Sequence, residues 1–122
     1  MSFAGKHTGE KGEALAVAYL SRAGYRIVAR NYRCLFGEID IVAREGGTLV
    51  FIEVKSRRSR AYGPPQLAVG LAKQKKISRI ALHYLSETKL AQSPARFDVV
   101  AVLFQPGGPQ VELIRNAFEL CL

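Results

Sequence analysis

Three acidic side chains and one lysine interrupt two apolar, β-prone runs in the segment GEIDIVAREGGTLVFIEVK, and they are Glu38, Asp40, Glu53 and Lys55. Paired carboxylates suit a hard cation such as Mg²⁺, which takes one or two protein carboxylates and leaves its other positions to water and phosphate. Such a cation polarises a phosphoryl oxygen and activates water, and a nearby lysine can orient that water or offset negative charge. The alternative is an ordinary cross-strand ion pair between Glu38 and Lys55 beside an exposed Glu53.

The dipeptide Gly46-Gly47 separates the two runs and is typical of a tight hairpin turn. Counting back from a two-residue turn places Asp40 opposite Glu53 and Glu38 opposite Lys55. Because side chains alternate along a strand, all four share one face. The other face carries apolar residues, Ile39, Ile41, Val50, Ile52 and Val54. Directly opposed like charges repel, so this pair needs a shared proton, basic neighbours or a bound cation.

The remaining elements follow from apolar spacing and turn residues. Thr8 is predicted to cap a first helix that Gly24 ends, and Tyr25 to Arg33 reads as a first strand. The hairpin strands are Glu38 to Arg44 and Thr48 to Lys55. A basic loop, SRRSRAYGPP, leads to a helix over about Gln66 to Glu87, and Phe97 to Phe104 and Val111 to Ile114 form later strands, with an ambiguous NAFELCL tail. Hairpins pair antiparallel, whereas the helical crossover allows the Phe97 strand to lie parallel. We therefore expect one mixed α/β domain over residues 1–122.

The charge distribution favours a polyanionic partner. The chain has 18 Lys and Arg against 10 Asp and Glu, a formal charge of +8. Between Val54 and Ser86 there is no acid, while the basic residues are Lys55, Arg57, Arg58, Arg60, Lys73, Lys75, Lys76 and Arg79. A solvated face would explain such a run equally well on its own.

Targeting and redox signals are sparse. The amino-terminal segment has no apolar run behind its basic residues, and no stretch approaches the ~18 apolar residues of a membrane span. Two cysteines without CxxC spacing argue against a disulfide framework and a zinc ribbon. A cytoplasmic protein with unpaired thiols is the simplest interpretation.

The hairpin motif also carries a family resemblance. Asp40, twelve intervening residues and then Glu53-Val54-Lys55 resemble the D...(D/E)xK core of the PD-(D/E)xK nuclease superfamily, which has the restriction-endonuclease-like fold with an α-β-β-β-α-β core. GEIDIV, FIEVKSR, Gly12-Glu13-x-x-Ala16 and Arg96-Phe97-Asp98-Val99 are more closely similar to the YraN family of bacterial proteins, which resemble Holliday-junction resolvases. The likeness runs from Gly12 to about Phe118, although Ile39 replaces the proline of the superfamily's name.

The resemblance implies a role for each matching position. Asp40 and Glu53 would bind Mg²⁺ or Mn²⁺, the Val54 carbonyl would complete the protein ligands, and Lys55 would serve the attacking water. Glu13 matches an acid that reaches the same site in resolvase-like members. Gln74, with Lys73 and Lys75, matches substrate-positioning residues on the helix after the motif, where solvent exposure is the alternative.

Other residues receive structural interpretations. Asp98 beside Arg96 is more often a structural partner than a metal ligand. Arg57, Arg58 and Arg60 follow the candidate site and would meet a nucleic-acid backbone, since phosphate contacts position a substrate without reading its sequence.

Three functions are compatible with this pattern. The first is a metal-dependent nuclease that acts on DNA rather than RNA, with branched intermediates among its candidate substrates. A homodimer would be the resolvase-like arrangement. The second is a nucleic-acid-binding module without catalysis. The third is a protein-interaction domain.

Overall fold

The computed structural model describes residues 3–59, 63–64 and 68–122, and residues 3–8 by their helical backbone alone. Arg60 and the expected helix start at Gln66 lie outside these ranges. The elements in chain order are α1 (Phe3–Arg22), β1 (Arg26–Cys34), β2 (Gly37–Glu45), β3 (Thr48–Arg57), α2 (Leu71–Glu87), β4 (Ala95–Leu103) and β5 (Gln110–Phe118). This order confirms the expected α-β-β-β-α-β core, and β5 extends the strand expected over Val111 to Ile114 into the start of the NAFELCL tail.

The five strands form one mixed sheet in the order β1-β2-β3-β4-β5. Strands β3 and β4 pair in parallel, and the other neighbours pair antiparallel. The parallel pair follows from the α2 crossover, as predicted, because a helical connection returns the chain to the same end of the sheet.

The helix ends agree with the sequence in part. Gly24 has a φ of +95°, and the Tyr25 amide donates to the Leu20 carbonyl at 2.9 Å, so a left-handed residue ends α1 as expected. The predicted cap at Thr8 is wrong, because α1 already begins at Phe3 and Thr8 lies inside it. Helix α2 begins at Leu71, later than expected, with Gly70 at its N-cap.

Each helix covers one face of the sheet with its own apolar layer. On the α1 side Ala16 and Leu20 pack against Ile41, Ala43, Val50 and Ile52. On the α2 side Ile77, Ile80 and Tyr84 pack against Ile39, Val42, Leu49 and Phe51. The central strands are therefore buried on both faces, whereas the sequence suggested one polar and one apolar face.

The alternation of side chains changes phase at Asp40. Ile39 packs on the α2 side and Ile41 on the α1 side, although they are two residues apart. In the β1–β2 pairing the position facing Asp40 is Asn31, whose φ is +54°. The prediction that Ile39 shares a face with Ile41 is thus wrong, because a local irregularity spans both strands at this point.

No described helix has the length and apolar content that a membrane span requires. Both cysteines, Cys34 and Cys121, carry free thiols, as the sequence predicted.

Candidate active site

Asp40 and Glu53 form a carboxyl pair at the open end of the hairpin, in which Glu53 is buried and Asp40 is partly buried. The β2–β3 register runs from Glu45–Thr48 to Ile41–Ile52, one position short of these two acids, as the two-residue turn predicts. Beyond that position the Val54 amide donates to Asp40 Oδ2 at 2.8 Å. The two carboxyl groups nevertheless interact, since Glu53 is among the causes that raise the pKa of Asp40, as expected of neighbouring acids.

The electrostatics of the pair indicate a shared proton. Burial, followed by the hydrogen bond to Glu53 and the charge of Glu53, raises the pKa of Asp40 to about 7, while the Val54 amide and the Lys73 charge lower it. The raised pKa means that Asp40 holds its proton over a wider pH range, and this proton offsets part of the predicted repulsion.

Two lysines supply positive charge to the same pair. Lys73 Nζ lies 3.1 Å from Glu53 Oε2, and Lys55 Nζ lies 3.9 Å from the same oxygen. The Glu53 side chain is 6% exposed, so it is the buried member of both ion pairs. Sequence reasoning assigned Lys73 to the nucleic-acid backbone and missed its ion pair with Glu53, because the docking of α2 on β3 leaves no local signal in the sequence.

The start of α2 is held by backbone and amide contacts. The side-chain Nε2 of Gln74 donates to the Val69 carbonyl at 3.0 Å, and the backbone N–H of Gln74 donates to the Gly70 carbonyl at 2.9 Å. No side chain caps this helix and no acid lies in its first turn. A lysine in that turn is opposed by the helix dipole, so Glu53 provides the favourable charge that keeps Lys73 there.

Glu13 is placed near this site but not in the carboxyl pair. Its Oε1 accepts hydrogen bonds from Arg30 Nε at 3.2 Å and Asn31 Nδ2 at 3.0 Å. Among the described residues, acidic, histidine and cysteine side chains nowhere form a group of three that could hold a metal ion. Glu13 therefore contacts the strand position facing Asp40 rather than the carboxyl oxygens.

The predicted ion pair between Glu38 and Lys55 is wrong. Strand β1 places Arg33 directly opposite Glu38, and Arg33 Nη2 lies 2.6 Å from Glu38 Oε2. Counting along the hairpin considered only β2 and β3, whereas the partner of Glu38 comes from β1.

Comparison with known proteins assigns the family. Residues 12–102 match the profile described as "Uncharacterised protein family UPF0102". The chain belongs to the UPF0102 family. UPF0102 is another name for the YraN family.

Several bacterial relatives are similar over nearly the whole chain. The UPF0102 protein of Syntrophus aciditrophicus is 62% identical over 93% of this chain and 89% of its own. That of Geobacter metallireducens is 55% identical over 98% of both chains. A solved structure, SfsA of Pyrococcus furiosus in complex with Ca²⁺, is 14% identical with a TM-score of 0.40, covering 90% of this chain and 62% of that one. This chain thus spans less than two thirds of that SfsA structure.

In this UPF0102 chain Arg57, the last residue of β3, lies beside a cavity of about 370 Å³. Arg57 lines it and donates through Nη1 to the Gly63 carbonyl at 2.9 Å. Ala101, which pairs with Lys55 across β3 and β4, lines it too. Arg58 and Lys75 are exposed, and Arg60 lies outside the described residues. The cavity therefore begins at Arg57, two residues beyond Lys55 on the same strand.

Asp98 belongs to a separate buried network at the other end of β3 and β4. It accepts hydrogen bonds from Tyr25 Oη at 2.7 Å, Arg96 Nε at 3.0 Å and the Asn116 amide at 2.9 Å. Burial and the contact with Asp98 raise the pKa of Tyr25 to about 12. Arg96 also contacts Glu45 at 2.6 Å. These contacts confirm Asp98 as a structural partner in this UPF0102 protein.

Proposed function

We propose that this UPF0102 protein is a divalent-metal-dependent nuclease that hydrolyses phosphodiester bonds in DNA. The observation that supports the proposal is the carboxyl pair of the partly buried Asp40 and the buried Glu53, in which Glu53 raises the pKa of Asp40 and both Lys55 and Lys73 flank Glu53. Such a strained pair of acids beside cations is typical of functional sites. The formal charge of +8 agrees with a polyanionic substrate.

The donor set fits Mg²⁺ or Mn²⁺. Asp40 and Glu53 offer hard carboxylate oxygens, which become available when the shared proton leaves, and the Val54 carbonyl would add a third protein oxygen. Two carboxylates suffice for a cation that keeps waters and binds substrate phosphate. When bound, the cation would polarise the phosphoryl oxygen and lower the pKa of the attacking water.

The chain's own residues supply the remaining chemistry. Lys55 lies on the strand of Glu53 with its ammonium at the edge of the pair, where it can orient the attacking water or offset charge that develops on the phosphate. Glu13 would act through Asn31, fixing the strand position opposite Asp40. Positioning of this kind is a large part of phosphoryl-transfer catalysis.

The surrounding cationic and amide side chains would guide the DNA backbone. They are Arg57, Arg58, Arg60, Lys73 and Gln74, which lie at the end of β3, in the segment after it or at the start of α2. Backbone contacts of this kind recognise shape rather than sequence, which agrees with branched DNA as a substrate. Cleavage of two strands of a junction would use two such sites, so we expect a homodimer on that substrate.

The test is cleavage of labelled single-stranded, duplex and four-way-junction DNA with Mg²⁺ or Mn²⁺. We expect cleavage by the wild type and its loss in Asp40→Asn, Glu53→Gln and Lys55→Met. Glu119→Gln, an exposed acid beyond β5, is the charge-matched control and should cleave as the wild type does.

Two results would contradict the proposal. One is DNA binding with no cleavage of any substrate, which would indicate a binding module. The other is cleavage that persists in all three site variants, since it would then come from another residue or a contaminant. Size-exclusion chromatography with light scattering, with and without junction DNA, reports the oligomeric state in the same samples.

A further inference from the structure

Lys73 is the nearest cation to the buried carboxyl pair. Its ammonium lies 3.1 Å from Glu53 Oε2, against 3.9 Å for Lys55. Its charge also acts on Asp40. Lys73 thus interacts with both acids, although it comes from a helix and not from the hairpin.

The two ends of this ion pair differ in their freedom to move. The Glu53 side chain is 6% exposed, whereas that of Lys73 is 39% exposed. A buried carboxylate that loses the closer of its two cations is destabilised. A lysine has a long flexible stem and can turn towards solvent or another anion. Lys73 can therefore leave, provided that another cation takes its position.

A divalent cation on these oxygens would meet the Lys73 ammonium at close range. Like charges separated by a few ångströms repel, and the repulsion is strong away from water. Backbone phosphates of a bound nucleic acid would offer Lys73 a new anionic partner beside the site. The same side chain can thus oppose the metal in the free protein and bind substrate in the complex.

We propose that Lys73 is an exchangeable counter-ion, which holds Glu53 in the metal-free protein and moves to a DNA phosphate when a divalent cation binds. This inference rests on the proposed metal site. It makes the binding of metal and DNA cooperative, because each one removes an obstacle to the other. By linkage the effect is reciprocal, so DNA must tighten metal binding by the same factor as metal tightens DNA binding.

The experiment measures Mn²⁺ binding by the full chain, without relying on cleavage. Free Mn²⁺ is followed by electron paramagnetic resonance with and without a short DNA duplex, after subtraction of the Mn²⁺ that the DNA binds alone. The proteins are wild type, Lys73→Met, Lys73→Gln and the matched control Lys75→Met, which removes an exposed lysine from the same turn region. Circular dichroism melting confirms that each variant is folded.

We expect DNA to tighten Mn²⁺ binding by the wild type about tenfold, within the usual range of coupling between sites. Both Lys73 variants should bind Mn²⁺ about tenfold more tightly than the wild type without DNA, a change of the size that one ion pair contributes. Their coupling to DNA should largely disappear. Lys75→Met should retain the wild-type Mn²⁺ affinity without DNA.

Equal Mn²⁺ affinity in Lys73→Met, Lys73→Gln and Lys75→Met would overturn the counter-ion role while leaving the nuclease proposal intact. The expected Mn²⁺ coupling without DNA cleavage would support the counter-ion role and remove the nuclease. Absence of Mn²⁺ binding by every protein, with and without DNA, would overturn the counter-ion role together with the metal site.

Discussion

Asp40 and Glu53 belong to opposite strands of one hairpin, and their carboxyl groups interact where the pairing of the strands ends. The last paired residues are Ile41 and Ile52, and the Val54 amide then donates to Asp40 rather than to the facing backbone. The two acids therefore meet where β2 and β3 cease to pair, and the Glu53 carboxyl lies on the α2 side, beside Lys73. Their arrangement leads to predictions about stability as well as catalysis.

Asp40 should make the metal-free protein less stable as the pH rises. Its folded pKa, about 7, lies above the ordinary value of 3.8, so the folded state holds this proton more tightly. The resulting stabilisation is complete below about pH 4 and disappears as the pH rises through about 7, at up to about 1.4 kcal/mol per pH unit. In chelator-containing buffer, Asp40→Asn should flatten this part of the pH profile and be more stable than the wild type at pH 8.

Urea unfolding between pH 4 and pH 8 measures this difference. Glu119→Gln serves as the control, because an exposed acid should leave the slope of the wild type unchanged. An Asp40→Asn profile that runs parallel to that of the wild type would show that the shared proton does not contribute to stability.

Kinetic tests should distinguish the role of Lys55 from that of Lys73. Lys55→Met should reduce the single-turnover cleavage rate about 100-fold or more, in the range of a lost catalytic side chain, with Mn²⁺ affinity changed less than in Lys73→Met. The reason is distance, since Lys55 lies 3.9 Å from Glu53 Oε2 and Lys73 lies 3.1 Å away. If Lys55→Met weakened Mn²⁺ or DNA binding and left the rate at saturation intact, its role would be binding.

Gly12 should be required for the packing of α1 on the strand that carries the site. A Cβ there would lie 1.8 Å from Ser56 Oγ and 3.1 Å from Ser56 Cβ, and only the hydroxyl can rotate away. We expect Gly12→Ala to destabilise the protein by about 1 to 3 kcal/mol, as overpacking does. Gly9→Ala is the matched control, because Gly9 lies in the same helix with nothing within 4 Å of such a Cβ.

The control should be stabilised, since alanine is favoured over glycine in a helix by about 1 kcal/mol. Thermal melting of the two variants beside the wild type measures both effects. Equal stabilisation by Gly9→Ala and Gly12→Ala would mean that α1 and β3 are further apart than described.

Asp98 should contribute to the stability of the fold and should not be needed for metal binding or cleavage. Its removal in Asp98→Ala leaves Arg96, the Tyr25 hydroxyl and the Asn116 amide without their shared acceptor. Loss of a buried charge partner costs about 3 to 5 kcal/mol, which guanidinium unfolding would detect. At a temperature where the variant remains folded, its Mn²⁺ affinity should equal that of the wild type. Selective loss of Mn²⁺ binding by the folded variant would instead connect Asp98 to the metal site.

Sequence reasoning succeeded where the determinants are local. A Gly46-Gly47 turn dictates its own register, so the meeting of Asp40 and Glu53 follows from counting. The partner of Glu38 could not be obtained in this way, because it comes from β1 and depends on which strand pairs with the outer edge of β2. Ile39 and Ile41 lie on opposite faces of the sheet, beside the left-handed Asn31 of the neighbouring strand. The alternation of apolar residues within β2 alone does not predict this arrangement.

The placement of Lys73 in α2 has a consequence for synthesis of the chain. Ribosomes add about 5 to 20 residues per second, so the hairpin emerges roughly one to four seconds before this lysine. During that interval the nascent chain contains both acids and Lys55 but lacks Lys73, the cation that lies closer to Glu53 in the folded protein. Glu53 would thus gain its closer cation only after α2 has been synthesised and has docked.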